Sequence, residues 1–472
     1  MKRGVLILTI ISLFQFGNNL SAQVQGKWHG KMKINETSSL TLAFEIAALE
    51  SGGYSAVLHS VDQKAYNIEV DTVSSNGENL TLLVKALRSE YNGIKTSENE
   101  MEGFMSFPGG VKMELNLTRV EEFPFYIAKR PQEPKEPYPY ISENVTFENP
   151  AAGIKLKGTL TLPAREGSYP AVVLISGSGP SDRNQTIFGH KTFLVLSDFL
   201  TRAGFAVLRY DDRGAGESEG SFARATIKDH AEDASFAVDF LKKSPFIKAD
   251  KVGILGHSLG GDIAPVTASI NPDISFVILM AGSALPLSEV IIEQCEAIYP
   301  TIGISDVATN LNSEILRKIY SVIKVEEDIK DAKSKAAIAI EEFNTRSAGL
   351  SEEERKKLGY STPLNINSWD DLFIPYMKYD LFHDNSEYFS KVNCPVLVIG
   401  GDKDLQVLSH HVNLIKDGLE KGGNRKVTSK LYPGKNHLMQ DATTGKPSEY
   451  GDIEITIAPD VVADIVNWLK KL

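Results

Sequence analysis

The stretch KVGILGHSLGGDIAPVTASI, residues 251–270, decides how this chain is read. Residues 252–255 are an apolar run suited to a strand. The five residues Gly256-His257-Ser258-Leu259-Gly260 then form a turn, and small residues at helical spacing follow. A serine on a tight turn between strand and helix is the setting of a nucleophile elbow above a parallel sheet. Glycines two before and two after the serine keep side chains from colliding with the neighbouring strand and helix. The rest of the chain must then supply a base, an orienting acid, an oxyanion hole and the sheet.

Outward from the elbow, strands alternate with helices, the rhythm of a mainly parallel α/β sheet. Residues 154–162 read as an early strand. Residues 171–175 (AVVLI), 205–208, 276–280 (FVILM) and 395–399 (PVLVI) are continuous apolar runs, as expected of strands covered on both faces. Phe193, Leu196 and Leu200 share a helix face, as do Ile227, Ala231, Ala234, Val238 and Leu241. Val461, Ile465 and Leu469 do the same in a final helix that ends in Lys470 and Lys471, where cations suit the dipole. Between residues 284 and 390 the rhythm breaks. That stretch, rich in Glu, Lys, Ile and Ala, predicts a helical insertion that caps the site. Its aromatic run (Trp369, Phe373, Tyr376, Tyr379, Phe382) reads first as the cap's own packing face and second as a pocket lining.

Upstream the pattern has period two. Leu40, Leu42, Phe44 and Ile46 alternate with less apolar residues, as do Val111, Met113, Leu115 and Leu117. Residues 23–125 thus predict a small antiparallel barrel or sandwich without chemistry of its own. Residues 126–140, with four prolines in RPQEPKEPYPY, read as a stiff linker, and residues 141–472 as the α/β domain. Lys2 and Arg3, an apolar run over residues 5–16 and Leu20-Ser21-Ala22 read as a signal peptide over residues 1–22. The run is too short for a membrane span, which takes about 20 residues. The chain is therefore expected to be exported, periplasmic or secreted, with no membrane span after cleavage. Cleavage removes two cations from a chain already at −11. An acidic chain without a dense basic run excludes nucleic acid as a partner. Cys295 and Cys394 are too few for a disulfide framework and read as unpaired buried thiols.

The pentapeptide at Ser258 has a twin in Gly216-Glu217-Ser218-Glu219-Gly220. Ser218 follows a charged loop, no helix starts after it, and two glutamates beside it oppose a developing oxyanion. Ser258 is therefore the candidate nucleophile. Neutral serine needs a base and the base an acid, and on this scaffold they follow in the order acid, then histidine. Asp404 lies in the loop after residues 395–399 and His437 in the loop after the last strand, both at the carboxyl edge where such sheets place their sites. Asp402 is the rival acid. His410 and His411 are rival bases but read as surface groups, and His257 reads as a packed neighbour of the serine. The amides of Leu259 and Ser178 are the candidate oxyanion donors, Ser178 lying in the glycine-rich loop after residues 171–175. That loop lacks the Gly-Lys-Ser/Thr of a phosphate loop. Asp212 and Arg213 read as a structural pair that fixes a turn. The histidines are scattered and the cysteines few, so neither a metal site nor a cofactor is expected.

Five motifs, GSGPSDRN (177–184), RYDDRGAGES (209–218), GHSLGG (256–261), GDKDLQV (401–407) and NHLMQ (436–440), together resemble the secreted bacterial α/β-hydrolase esterases that carry an N-terminal β domain. The resemblance covers the core from about residue 145 onward, and the N-terminal pattern is similar too. Leu408 is a departure, standing where related sequences often carry proline. The resemblance implies an α/β-hydrolase core with a helical cap insertion behind a small all-β domain. It also implies a carboxylesterase acting on short-chain acyl esters, small-molecule substrates, and a triad of Ser258, Asp404 and His437. Serine peptidase activity on the same scaffold is the nearest alternative. A catalytically silent binding protein is a more distant one.

Overall fold

The computed structural model of the protein describes residues 24–34, 38–358 and 363–472. The signal peptide expected over residues 1–22 lies outside them. Contacts divide the chain into two units, Met1–Lys129 and Arg130–Leu472. In the first, one ten-stranded sheet spans residues 26–120. The alternation over residues 40–46 becomes the strand Ser39–Ala48. It places Phe44 opposite Trp28 and Leu42 opposite Gly30, with Trp28, Leu42, Phe44, Leu58, Leu82 and Tyr91 in a single core. The alternation over residues 111–117 does not run as one strand. Lys112–Glu114 stops short of Asn116, whose side-chain oxygen accepts the Gly103 amide at 3.1 Å, and pairing resumes at Leu117–Val120.

The second unit is built on eight strands: β1 (Ile141–Asn149), β2 (Ile154–Leu162), β3 (Tyr169–Ile175), β4 (Ala206–Tyr210), β5 (Ile247–His257), β6 (Val277–Met280), β7 (Val396–Gly401) and β8 (Val427–Tyr432). Their spatial order is β1-β2-β4-β3-β5-β6-β7-β8. β2 is antiparallel to both its neighbours, and every later pair is parallel. This is an α/β-hydrolase core. The apolar runs are explained by two cores, one on each face: Ala171, Val173 and Ile175 of β3 enter one, while Val172 and Leu174 enter the other. Helices α1 (Thr192–Arg202), α2 (Ile227–Lys242) and α3 (Leu259–Ile270) follow β3, β4 and β5. The stripe on α2 and Ile263 and Ala264 of α3 fill the first core, and Phe193, Leu196 and Leu200 of α1 fill the second.

After β6 the cap interrupts the alternation with α4 (Leu287–Ile298), α5 (Asp306–Val325), α6 (Ile329–Ser347) and, further on, α7 (Pro375–Phe382). Its own core joins Ile315, Ile319, Ile340 and Phe343 to Phe373, with Trp369 and Phe382 packed against them. Tyr376 is exposed. Asp380 of α7 accepts the amide of Ile227, the first residue of α2, at 2.9 Å, which fastens the cap to the α/β core. The chain closes with α8 (His411–Lys421), β8 and α9 (Pro459–Leu469), whose Val461, Ile465 and Leu469 are buried. Among the described residues no helix is long and apolar enough to cross a membrane.

The proline-rich run, read as a spacer, instead folds onto the second unit at its start. Arg130 is buried and donates to the carbonyls of Phe188, Gly189, Gly451 and Ile453. Gln132 donates to the carbonyl of Ile457 and accepts the amides of Thr456 and Ile457. A five-donor fork meeting four loop carbonyls satisfies polar groups that burial would otherwise leave unpaired. Cys295 and Cys394 are free and only half-buried.

Candidate active site

Chain order turns back at β3. The chain leaves β3 for β4 on one side and later builds β5 on the other, so the carboxyl ends of β3 and β5 flank a crevice of the kind that holds ligands in open α/β sheets. Ser258 stands there between β5 and α3 with φ 56 and ψ −122, a backbone conformation that L-residues seldom adopt. Close packing holds it. A Cβ on Gly256 would lie 1.9 Å from the Gly260 carbonyl oxygen, and one on Gly260 would lie 2.1 Å from the Ile175 carbonyl oxygen. Any larger residue would push helix and strand apart and release the strained turn.

His437 lies in the loop after β8. Its Nε2 is 3.0 Å from Ser258 Oγ, and its Nδ1 is 2.8 Å from Asp404 Oδ2. A carboxylate can only accept, so Nδ1 carries the proton and Nε2 is free to accept from the serine hydroxyl. Asp404 and His437 are 3% and 4% exposed, which keeps water from competing for this chain of bonds. The second Asp404 oxygen takes the amides of Gln406 and Val407 at 2.8 and 2.9 Å. Asp402 instead accepts the Gly434 amide at 2.6 Å. Among the described residues the Ser218 hydroxyl has backbone partners: it donates to the Asp211 carbonyl and accepts the Lys157 amide.

The loop after β3 comes close to the nucleophile, for a Cβ on Gly177 would lie 3.2 Å from Ser258 Cβ. Ser178 is the next residue and is exposed. Leu259 is the first residue of α3, so its amide is one of the donors a helix start leaves unpaired, at the positive end of the dipole. Two motifs read separately in the sequence form one device here. Asp212 accepts the Ser176 hydroxyl at 2.6 Å and the Ser181 amide at 3.0 Å. Asp211 accepts the Arg183 amide at 2.7 Å and pairs with its guanidinium at 2.6 Å. The aspartates after β4 thus hold the loop after β3 from both ends. Asp212 and Arg213 are not a pair, contrary to expectation. Successive side chains at a strand end point apart, and Arg213 binds Asp233 of α2 at 2.6 Å. Burial, with the nearby Asp233 and Asp211 charges, pushes the Asp212 carboxyl up to about 7.

Several site neighbours were not legible in the sequence. Asp262 of α3 accepts the amide and hydroxyl of Ser283, in the loop after β6, at 2.7 and 3.0 Å, and burial raises its carboxyl to about 7. His257 is buried as expected, with Nδ1 2.8 Å from Gln185 Nε2 and Nε2 2.9 Å from the His437 carbonyl. His411 is buried too, which corrects its reading as a surface group. The signal was present, because His411, Ile415 and Leu419 occupy one face of α8. His410 is the exposed member of the pair. The cap brings Glu293 to them, so these histidines are not scattered: ligand-type atoms of Glu293, His410 and His411 lie within 4.8 Å of one another. The set does not suit a metal. His411 Nδ1 accepts the Ala284 amide at 3.0 Å, so its proton sits on Nε2 and points at Glu293, 2.8 Å away. A cation on Nε2 would leave that ring no proton on either nitrogen, whereas a ligating imidazole normally donates its other N–H. The trio joins the cap to the acid loop instead, beside the bond from Gln294 to the Gln406 carbonyl at 2.8 Å.

Residues 191–338 match the family model Hydrolase_4, described as serine aminopeptidase, S33. The match takes in Ser258 but ends before Asp404 and His437. Esterase EstD of Thermotoga maritima is 36% identical over 164 residues, 35% of this chain and 39% of its own. Acyl-coenzyme A thioesterase 1 of Mus musculus is 24% identical over 217 residues, 43% of this chain and 47% of its own. The chain therefore spans under half the length of these curated relatives. Among solved structures, an esterase of Pyrococcus furiosus aligns at 16% identity over 74% of this chain and 98% of its own, with a TM-score of 0.43.

Proposed function

We propose that the protein is a serine carboxylesterase that cleaves short-chain acyl esters through an acyl-enzyme. The observation that carries this reading is the single imidazole of His437, which reaches Ser258 at 3.0 Å on one side and Asp404 at 2.8 Å on the other. In the proposed reaction Ser258 Oγ attacks the ester carbonyl carbon while its proton passes to His437 Nε2. Asp404 holds the resulting imidazolium, and the amides of Leu259 and Ser178 receive the oxyanion. Collapse breaks the bond to the alcohol, which leaves with the proton from His437. A water molecule then gives a proton to His437 and attacks the acyl-serine carbonyl, and His437 returns that proton to Ser258 Oγ as the acyl bond breaks, which frees the carboxylic acid and the serine. Each step uses only side chains and amides of this chain and a water molecule. Export, in this reading, rests on residues 1–22 alone.

The description of the matching family model favours a second reading, an aminopeptidase on the same machinery. Short p-nitrophenyl esters and aminoacyl p-nitroanilides, assayed in parallel, separate the two. The esterase reading expects turnover of acetyl and butyryl esters with kcat/KM above that for any anilide by a factor of about 10² or more. Preferential cleavage of an anilide bearing a free amine would replace it with the peptidase reading.

A further inference from the structure

Two buried residues outside the triad meet at the nucleophile, and neither the triad nor the oxyanion donors account for them. Gln185 is fully buried, with a left-handed φ of 49, at the end of the loop that carries Ser178. Its Nε2 lies 2.8 Å from His257 Nδ1. His257, 1% exposed, sits directly before Ser258, and its Nε2 lies 2.9 Å from the backbone carbonyl of His437. A carbonyl only accepts, so His257 Nε2 carries the proton and Nδ1 is the bare acceptor for the Gln185 amide. Burial, with the His437 ring nearby, pushes His257 down to about 4 and keeps that ring neutral with this proton placement. The two imidazole centroids are 5.0 Å apart. Gln185 also abuts the loop that carries Ser178, its Nε2 lying 3.3 Å from where a Cβ on Gly177 would stand. Gln185 Oε1 has no partner among the described residues, so this side chain keeps one buried acceptor unsatisfied while its donor end serves His257.

We propose that His257 and Gln185 form a positioning relay that sets His437 against both the serine turn and the oxyanion loop. The inference rests on the serine-hydrolase reading above. One imidazole ties together the loops after β3, β5 and β8. Holding the His437 carbonyl fixes where that loop presents its ring, and a base displaced by about 1 Å costs on the order of 10²-fold in rate. Neither residue touches the reacting atoms, so both act through His437.

The test is the rate at which a fluorophosphonate labels Ser258 in folded protein, with kcat and KM for a p-nitrophenyl ester measured beside it. His257→Leu and Gln185→Leu should each slow labelling and kcat by about 10–10²-fold with little change in KM. The double variant should be no slower than His257→Leu alone, because both break one chain of bonds. His257→Gln should recover most of the rate, since a Gln amide both donates to the His437 carbonyl and accepts from Gln185. Wild-type labelling rates in folded His257→Leu, or a change confined to melting temperature, would overturn the relay. If His257→Leu does not fold, Gln185→Leu decides: slow labelling upholds the relay and a wild-type rate overturns it. Absence of labelling in the wild type would overturn the serine-hydrolase reading itself, a result distinct from these.

Discussion

At the residue scale, the His437 imidazole stands between the Ser258 hydroxyl at 3.0 Å and the Asp404 carboxylate at 2.8 Å. Ser258, Asp404 and His437 each follow an apolar strand run, so the sequence locates them at one sheet edge, where their side chains meet at 2.8 and 3.0 Å. Asp402 and Asp404 differ only in which way each side chain turns, and only the packed loop shows that Asp402 serves Gly434. Asp212 and Arg213 misled because adjacency in sequence implies no contact when side chains diverge. Asp212 carries a test of its own. Its carboxyl is raised from 3.8 to about 7, so the folded state binds a proton more tightly than the unfolded chain does. Its contribution to stability is therefore full below about pH 4 and is lost as pH rises to about 7. Urea titrations should show wild type losing stability relative to Asp212→Asn over that window, at up to about 1.4 kcal/mol per pH unit, with no further change above it. The buried imidazoles of His190, His230 and His257, held near 3, 4 and 4, act in the opposite sense, losing their contribution as pH falls. They are common to both proteins and cancel in the difference. Wild type that holds or gains stability relative to Asp212→Asn as pH rises over that window would contradict the assignment.

At the scale of elements, the elbow is a matter of close approach. Strand β5 and helix α3 were visible from apolar runs and small residues, but the need for Gly260 is set by β3, which is distant in sequence. A methyl group on Gly260 would meet the Ile175 and Ser176 carbonyl oxygens at 2.1 and 2.6 Å. Both belong to backbone that cannot step aside. Gly260→Ala should cost about 1–3 kcal/mol or more in urea unfolding. It should also slow Ser258 labelling in the protein that does fold. Unchanged stability and labelling would mean that strand and helix are not so tightly apposed. The strand at residues 111–117 illustrates the converse limit. Its alternation is real, yet the Asn116 side chain takes a ladder donor and divides it, something no periodicity records.

On the scale of the whole molecule, the change from period two to alternating strands and helices marked two architectures, and each has its own core. The boundary itself was less legible, because prolines signal an extended chain without revealing that Arg130 and Gln132 find carbonyls to bind. Every candidate site residue lies in the second unit. A fragment of residues 130–472 should therefore fold and hydrolyse p-nitrophenyl esters within a few-fold of whatever rate the full chain shows. A fragment of residues 141–472 lacks the two anchors on the loop around residues 451–457 and should melt several degrees lower, read by circular dichroism. Equal melting temperatures would show that the anchors contribute nothing.

The reactivity proposed for Ser258, activated by His437 and Asp404, is that of a nucleophile that forms acyl-enzyme. Its most direct test is a fluorophosphonate reaction with the full chain, followed by peptide mass spectrometry of the labelled site. One label per chain on Ser258 is expected, undiminished in Ser218→Ala and absent in Ser258→Ala, with ester hydrolysis lost in step. A label on Ser218, or folded wild-type protein that takes none, would contradict it.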